Sequence, residues 1–428
     1  MIESIHVVSL VLYHTFLFPV VLFSFIYYLI TFGSILENNR NKNKKNSKNS
    51  KCAKNEEKEL PFITIQIPVY NDPIAVRCIE HCLKLDYPKN KYEIIVADDS
   101  TDEETIKLLK SYEKYENVRI VHRNNRKGYK AGALNNILKY SRGEIIVIFD
   151  SDYIPKKDFL REIVPLFEDE KVAIVQTKID IINTNDNILT KFASCCLMIY
   201  HNCFMPLNQK AGVVFFCGTA GAIRKRVLEE VGGWNENSIT EDSDLSLRTL
   251  LKGYKHIYTK DTKASGEVPN ALKAFINQQM RWCYGMTRVF IDNWNKILFS
   301  KNLTFQQKII LILLTLGYLA SPFVIGMTLF GLLSWITGEP TELTILDITR
   351  IILTFLATSG FIFSSYYALK IENKTRILRE VVFATYTIGL LLSIMNTISL
   401  MKAFLRREMY WHRTPKVTFG KCLKETLL

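Results

Sequence analysis

Apolar positions fall into two regimes along this 428-residue chain. In four segments, 7–32, 308–337, 346–369 and 381–405, they run almost without interruption. A helix that crosses a bilayer needs roughly 20 predominantly apolar residues, so the first three predict spans. Pro322 predicts a kink in the second. The fourth is interrupted by Asn396 and Lys402. The segment 7–32 carries neither a basic stretch nor a small-residue cleavage site, which predicts a retained span rather than a removed signal peptide.

Between 61 and 302 the pattern changes. Short apolar runs at 62–67, 92–97, 118–122 and 144–149 predict strands. The intervening segments 74–85, 103–115 and 130–140 carry apolar residues at helical spacing. Strands alternating with helices predict an α/β, Rossmann-like domain whose mostly parallel sheet is covered by helices. Ligands of such sheets bind beyond the carboxyl ends of the strands. Two of the predicted strands run into paired carboxylates there, Asp98-Asp99 and Asp150-Ser151-Asp152. One acidic strand end is an ordinary turn former; two in one domain point to a site.

Charge refines the picture. The net charge is +13, and the stretch 38–58 is polar and mostly basic with no apolar run, so it predicts a flexible linker. With the basic excess in this linker and the membrane flanks, the expected partner is membrane lipid and not nucleic acid. Positive charge retains loops on the cytoplasmic side. That rule places the linker, 61–302 and the basic stretch 370–379 inside, and the acidic loop 338–347 outside. A full span over 381–405 would carry the basic tail outside. An interfacial or re-entrant helix is therefore the preferred reading, and a fourth span the alternative. The nine cysteines show no paired metal-ligand spacing beyond Cys78 and Cys82, so reduced core cysteines are expected.

Chemistry enters with two further groups. Carboxylates separated by one residue, as in Asp150 and Asp152, suit a hard divalent cation, Mg²⁺ or Mn²⁺, shared with substrate phosphates. Thr240-Glu241-Asp242 reads as a helix start with Thr240 as N-cap, and a carboxylate there can also take a proton from an acceptor hydroxyl. Gln278, Arg281 and Trp282 fall roughly on one helix face. Arg281 is a fixed cation suited to a diphosphate, and Trp282 an apolar plate for a sugar ring.

In this order the four groups resemble the signature of the family-2 inverting glycosyltransferases. The relevant branch is membrane-embedded and contains the cellulose, hyaluronan, chitin and mannan synthases. The run Arg123 to Asn135 and Gly218-Thr219-Ala220-Gly221 are most similar to the mannan-synthase-like group. The resemblance implies a GT-A catalytic domain and transfer of a hexose from a UDP- or GDP-linked donor to a growing β-linked polysaccharide. It implies nucleotide-sugar binding by Asp98, Asp99, Lys130, Asp150 and Arg281, metal binding by Asp150 and Asp152, and catalysis by Asp242 with Glu241. Gln278 and Trp282 would hold the acceptor. The stretch Tyr410 to Lys416 is similar to a gating loop, in which Thr414 and Lys416 would close over the diphosphate. The layout this implies is a transmembrane helix over 1–36, the linker over 37–60 and the catalytic domain over 61–290. An interfacial helix over 291–307, transmembrane or interfacial helices over 308–405 and a cytoplasmic gating-loop-like tail over 406–428 follow. Integral placement in a plasma or cell membrane, with the catalytic domain cytoplasmic, is expected. With one span ahead of the catalytic domain, a homo-oligomer or an accessory channel subunit is the expected means of completing a channel. The alternatives are transfer of a single sugar to a membrane lipid and, further off, an inactive membrane subunit.

Overall fold

The structure is a computed structural model that describes residues 2–47, 60–338 and 344–409. Eight strands form one sheet: β1 (Ile63–Val69), β2 (Tyr92–Asp98), β3 (Val118–His122), β4 (Ile145–Ile148), β5 (Ile154–Pro155), β6 (Val172–Ile181), β7 (Gly221–Arg224) and β8 (Lys255–Gly266). Their spatial order is β3-β2-β1-β4-β7-β6-β8-β5. The first four are mutually parallel, in the register Val69 with Asp98 and Asp98 with His122. β7 then runs antiparallel between β4 and β6, while β8 lies parallel to β6. The sheet is thus mixed and mostly parallel.

Strand alternation explains the continuous apolar runs. Ile65, Ile94, Val96 and Val147 pack on the helix Ala75–Leu83 on one face. Ile95, Ile146 and Ile148 pack on the helix Tyr129–Leu138 on the other. A strand buried on both faces cannot alternate polar with apolar. The predicted helix over 103–115 ends early, at Lys110, and continues as a tighter turn over Ser111–Lys114. Its start is fixed by Asp102, whose carboxylate accepts from the Thr105 N–H at 2.9 Å.

Four helical segments among the described residues are long and apolar enough to cross a membrane: Ile2–Arg40, Ile188–Ala211, Phe305–Thr337 and Thr375–Phe404. The second was not singled out from the sequence, and 67% of its most apolar window is buried inside the protein, so its apolar residues serve the core. The N-terminal helix approaches its neighbours through small residues, as helices in lipid do. Thr31 and Ser364 share a hydrogen bond of 2.6 Å, and the Gly360 N–H donates to Ser24 at 2.8 Å.

Four expectations are corrected. The N-terminal helix runs from Ile2 to Ser47, so the first part of the expected linker is helical rather than flexible chain. The segment 346–369 is two helices, Ile345–Thr358 and Gly360–Ile371, bent by 54°. The stretch 291–307 is not a helix of its own. Residues up to Phe299 complete the helix Leu272–Phe299, and a capping box of Thr304 and Gln307 starts the helix Phe305–Leu316. The segment 381–405 lies in one unbroken helix, Leu378–Phe404, and so does not turn back on itself. Both its ends hold on to the catalytic domain and its helix. Lys191 pairs with Glu380 at 2.8 Å near the start, and Ser399 donates to the Met280 carbonyl at 2.6 Å near the end. One turn ahead of Pro322 the helix tightens into a 3₁₀ turn at Gly317–Leu319. A regular helix there would need the missing Pro322 N–H for the Tyr318 carbonyl.

Candidate active site

The parallel strands end level with one another, so the residues that follow them share one rim. From this rim a cavity of about 1100 Å³ runs between the sheet and the apolar helices. Tyr70, Asp99, Arg126, Lys130, Asp150 and Asp152 line its first part, and Glu241, Asp242, Gln278, Arg281 and Trp282 its middle. Nine of the ten sequence-derived site residues within the described range therefore meet on one wall.

The exception is Asp98. It is fully buried and off the cavity wall. As the register partner of His122 across β2 and β3, it accepts from that imidazole at 2.8 Å and from the Ser100 N–H at 2.9 Å. These bonds brace the loop after β2, and of the two acids only Asp99 lines the cavity. Arg123 grips Asp99 with two bonds, 2.7 Å from Nε and 2.6 Å from a terminal nitrogen. Thr414 and Lys416 lie outside the described residues.

Two wall residues were missed in the sequence. The Arg126 guanidinium lies 3.3 Å from the ring centre of Tyr70. Tyr70 follows β1 and Arg126 belongs to the loop after β3, so only the fold brings them together. Arg126 sits within the run Arg123 to Asn135 already quoted; that run was the available signal. A stacked guanidinium and phenol make a flat surface at the rim, of the kind that accepts an aromatic base.

Lys130 connects the two parts of the wall. Its ammonium lies 2.6 Å from Asp150 and 2.8 Å from the Gly218 carbonyl, and 3.9 Å from Glu241. Burial lowers the lysine's proton affinity, but the attraction of Asp150 and Glu241 outweighs it and raises the pKa. Asp152 is almost fully buried and accepts from the Glu267 N–H at 3.3 Å. Arg77 fixes that corner by donating to the Asp152 carbonyl at 3.0 Å and to Glu267 at 3.2 Å.

Glu241 and Asp242 open the helix Glu241–Leu251. Burial and the neighbouring Asp242 push Glu241 up to about 7, against Lys130. Burial likewise raises Asp242, against Lys130 and the Ser243 N–H that donates to it at 2.7 Å. The expected cap is absent. Thr240 occupies the N-cap position, but its hydroxyl caps nothing and is buried without a partner. Its side chain instead fills the space left by Gly285 in the helix Leu272–Phe299, where a Cβ would lie 2.2 Å from Thr240 Cγ2. Gly218 does the same for the carboxylate. It sits at φ +78°, and a Cβ there would lie 2.8 Å from Asp242 Oδ2.

A divalent cation fits this wall. The Asp150 side chain keeps 34% of its surface exposed, and the Lys130 ammonium already stands against it as a cation. Among the described residues no three His, Cys, Asp or Glu side chains gather into a closed cage. Mg²⁺ and Mn²⁺ at phosphate-transfer sites need only one or two carboxylates, because the substrate supplies the rest. Asp150 and Asp152 satisfy that requirement.

Comparison with known proteins agrees with this geometry. The model of the family "Glycosyl transferase family group 2" matches residues 145–368, a little over half of the chain. A probable glucomannan 4-β-mannosyltransferase of Oryza sativa subsp. japonica is 36% identical over an alignment of 264 positions that covers 58% of this chain and 46% of that protein. A glucomannan 4-β-mannosyltransferase of Arabidopsis thaliana is 33% identical over 259 residues, 58% and 47% respectively. The chain thus spans about half the length of the curated relatives it matches. Among solved structures, a mannosyltransferase of Pyrobaculum calidifontis, in complex with GDP-Man and Mn²⁺, superposes with a TM-score of 0.63 at 17% identity. The superposition covers 95% of this chain and 100% of the other; it establishes the shared fold.

Proposed function

The chain belongs to glycosyl transferase family group 2, and on that premise we propose that it is a membrane-bound, metal-dependent inverting hexosyltransferase. It would move a hexose from a nucleoside-diphosphate sugar to the end of a β-linked polysaccharide. The glucomannan mannosyltransferases it is similar to, and the GDP-Man in the structural neighbour, make GDP-mannose the first donor to consider. The carrying observation is Lys130. It stands between the carboxylate suited to a metal and the carboxylate pair suited to a base, in one cavity with Gln278, Arg281 and Trp282.

Each residue then has a task. Asp99 and the Tyr70–Arg126 stack hold the nucleoside. Asp150 and Asp152 hold Mg²⁺ or Mn²⁺, which when bound neutralises the diphosphate and eases its departure. Trp282 and Gln278 orient the acceptor sugar. Asp242, with Glu241 beside it, takes the proton from the acceptor hydroxyl as that oxygen attacks the anomeric carbon on the face opposite the diphosphate. Arg281 and Lys130 balance the charge of the leaving group. The catalytic domain lies on the cytoplasmic side, the basic linker and 370–379 stay there with it, and the helix Leu378–Phe404 runs along the membrane surface. Its two attachments to the catalytic domain and its helix support that last assignment.

The test is a panel of nucleotide-sugars offered to the purified protein in detergent with Mn²⁺ or Mg²⁺, with released nucleoside diphosphate as readout. Turnover of one donor, most readily GDP-mannose, is expected. Turnover of none overturns the reading.

A further inference from the structure

Asp150 and Asp152 stand two residues apart and are held in opposite ways. The Asp150 side chain keeps 34% of its surface exposed. Its ties are the Lys130 ammonium at 2.6 Å and, through its own N–H, the Thr219 hydroxyl at 2.9 Å. Asp152 is almost fully buried, and its carboxylate, its carbonyl and its flanking residues are each fixed. Most of this fixing comes from the end of β8 and the residue after it. β5 pairs with β8 there, Ile154 with Ser265 and Pro155 with Ala264. Gly266 lets the Tyr153 ring lie against the backbone, since a Cβ would stand 2.7 Å from that ring. The Glu267 N–H donates to Asp152 Oδ2 at 3.3 Å. On the other side, the Ser151 hydroxyl donates to Asp72 at 2.6 Å.

Arg77 closes the arrangement from the helix Ala75–Leu83. One of its terminal nitrogens donates both to the Asp152 carbonyl at 3.0 Å and to the Glu267 carboxylate at 3.2 Å. The Glu267 side chain is 2% exposed and that of Arg77 15%. A buried ion pair is expensive to desolvate, and apolar residues of similar volume often replace one without loss of stability. Stability alone is thus a poor account of a pair in this place, and position is a better one. An arginine by itself behind a metal ligand would repel the cation. Glu267 cancels that charge and leaves the donor where it is.

From these contacts we infer that Arg77 and Glu267 are positioning residues for the metal: they hold Asp152 in the posture in which it takes Mg²⁺ or Mn²⁺. The inference rests on the transferase reading above. Asp152 is ready before the cation arrives, and Asp150 is the ligand that changes partner, from Lys130 to the cation. Glu267 also begins the short connection to the helix Leu272–Phe299, which carries Gln278, Arg281 and Trp282. The metal ligand and the acceptor helix are thereby tied to one stretch of chain.

The experiment uses the full chain in nanodiscs and reads Mn²⁺ directly. Free Mn²⁺ is followed by electron paramagnetic resonance during titration in the presence of GDP or UDP, and thermal unfolding is recorded without metal. Glu267→Gln keeps the shape and the N–H of the residue but releases Arg77. It is expected to weaken Mn²⁺ binding about tenfold, the usual cost of losing a partner behind a metal ligand. The Mn²⁺ concentration for half-maximal diphosphate release should rise by the same factor, while the plateau in excess Mn²⁺ falls less than about threefold. The double variant Arg77→Gln/Glu267→Gln leaves no charge buried alone, is expected to show the same shift, and carries the test if the single variant does not fold. A folded variant that binds Mn²⁺ within about twofold of wild type, whatever its melting temperature, overturns the inference and leaves the transferase reading standing. Wild-type protein that binds no Mn²⁺ with either nucleotide overturns the metal-dependent reading beneath it.

Discussion

The two polar parts of the cavity wall differ in how their charge is balanced. At the strand ends each acid already has a donor of its own. Asp98 has His122, Asp99 has Arg123, Asp150 has Lys130, and Asp152 has a backbone N–H. At the helix start, Glu241 has no side-chain partner among the described residues nearer than the Lys130 ammonium at 3.9 Å, and Asp242 has only Ser243, whose N–H donates at 2.7 Å. Despite Lys130 and Arg281, burial holds both above the usual carboxylate range. On the proposed reading, the difference teaches that the strand-end part is set up to exchange cations, whereas burial at the helix start favours a proton on its carboxylates. The first should respond to metal and the second to pH.

The sharpest way to break this contrast is to strip the metal. Excess EDTA, or Asp152→Ala, should reduce transfer to background, because an uncompensated diphosphate is a poor leaving group. Full activity in chelator, measured as released nucleoside diphosphate, would remove Asp150 and Asp152 from metal binding. Next in size is Asp242→Asn. A positioned base typically contributes roughly 10²–10⁴-fold, so transfer should fall by that range while isothermal titration still detects the donor. A variant keeping half of wild-type turnover would take Asp242 out of the chemistry.

The pH profile is a milder test of the same part. Since Glu241 titrates at about 7, transfer should rise about tenfold from pH 6 to pH 8. Glu241→Gln should move the inflection down, because it removes the like charge beside Asp242. The sign for stability is opposite to that for activity. A raised folded-state pKa stabilises the protonated protein, so this contribution is complete below the ordinary glutamate value and is lost as pH rises through about 7. A flat profile would mean that the pair sheds its proton without consequence. The smallest expected effect is that of Trp282→Ala. Loss of the plate should cost acceptor orientation and shift the ratio of donor hydrolysis to transfer about fivefold. If both rates fall together at a constant ratio, Trp282 supports the fold instead.

Legibility in the sequence followed the burial of the strands. β1, β2 and β4 lie inside the sheet and are buried on both faces, while β3 forms its edge and is partly exposed; the mostly apolar runs at 62–67, 92–97, 118–122 and 144–149 still locate all four within two residues. β7 has four residues, and β8 is the polar run KHIYTKDTKASG. Neither carries a pattern that distinguishes it from loop, so the antiparallel insertion stayed hidden. At the site, residue type and order located the wall, but only geometry could assign the two acids at the end of β2. Asp98 turns inward to His122 and Asp99 faces the cavity because consecutive side chains of a strand take opposite sides. The Tyr70–Arg126 stack joins residues that no local pattern relates.

The contact of Thr240 with Gly285 has a consequence for tolerance. The helix bearing the acceptor plate and the turn bearing the base are spaced by the width of a single missing methyl group. That spacing leaves no slack. A side chain at position 285 would push Thr240 aside and with it the start of Glu241–Leu251, which the bond between Thr249 and His256 of β8 ties to the sheet. On the proposed reading, a single added methyl group on one helix would therefore disturb plate, base and sheet together.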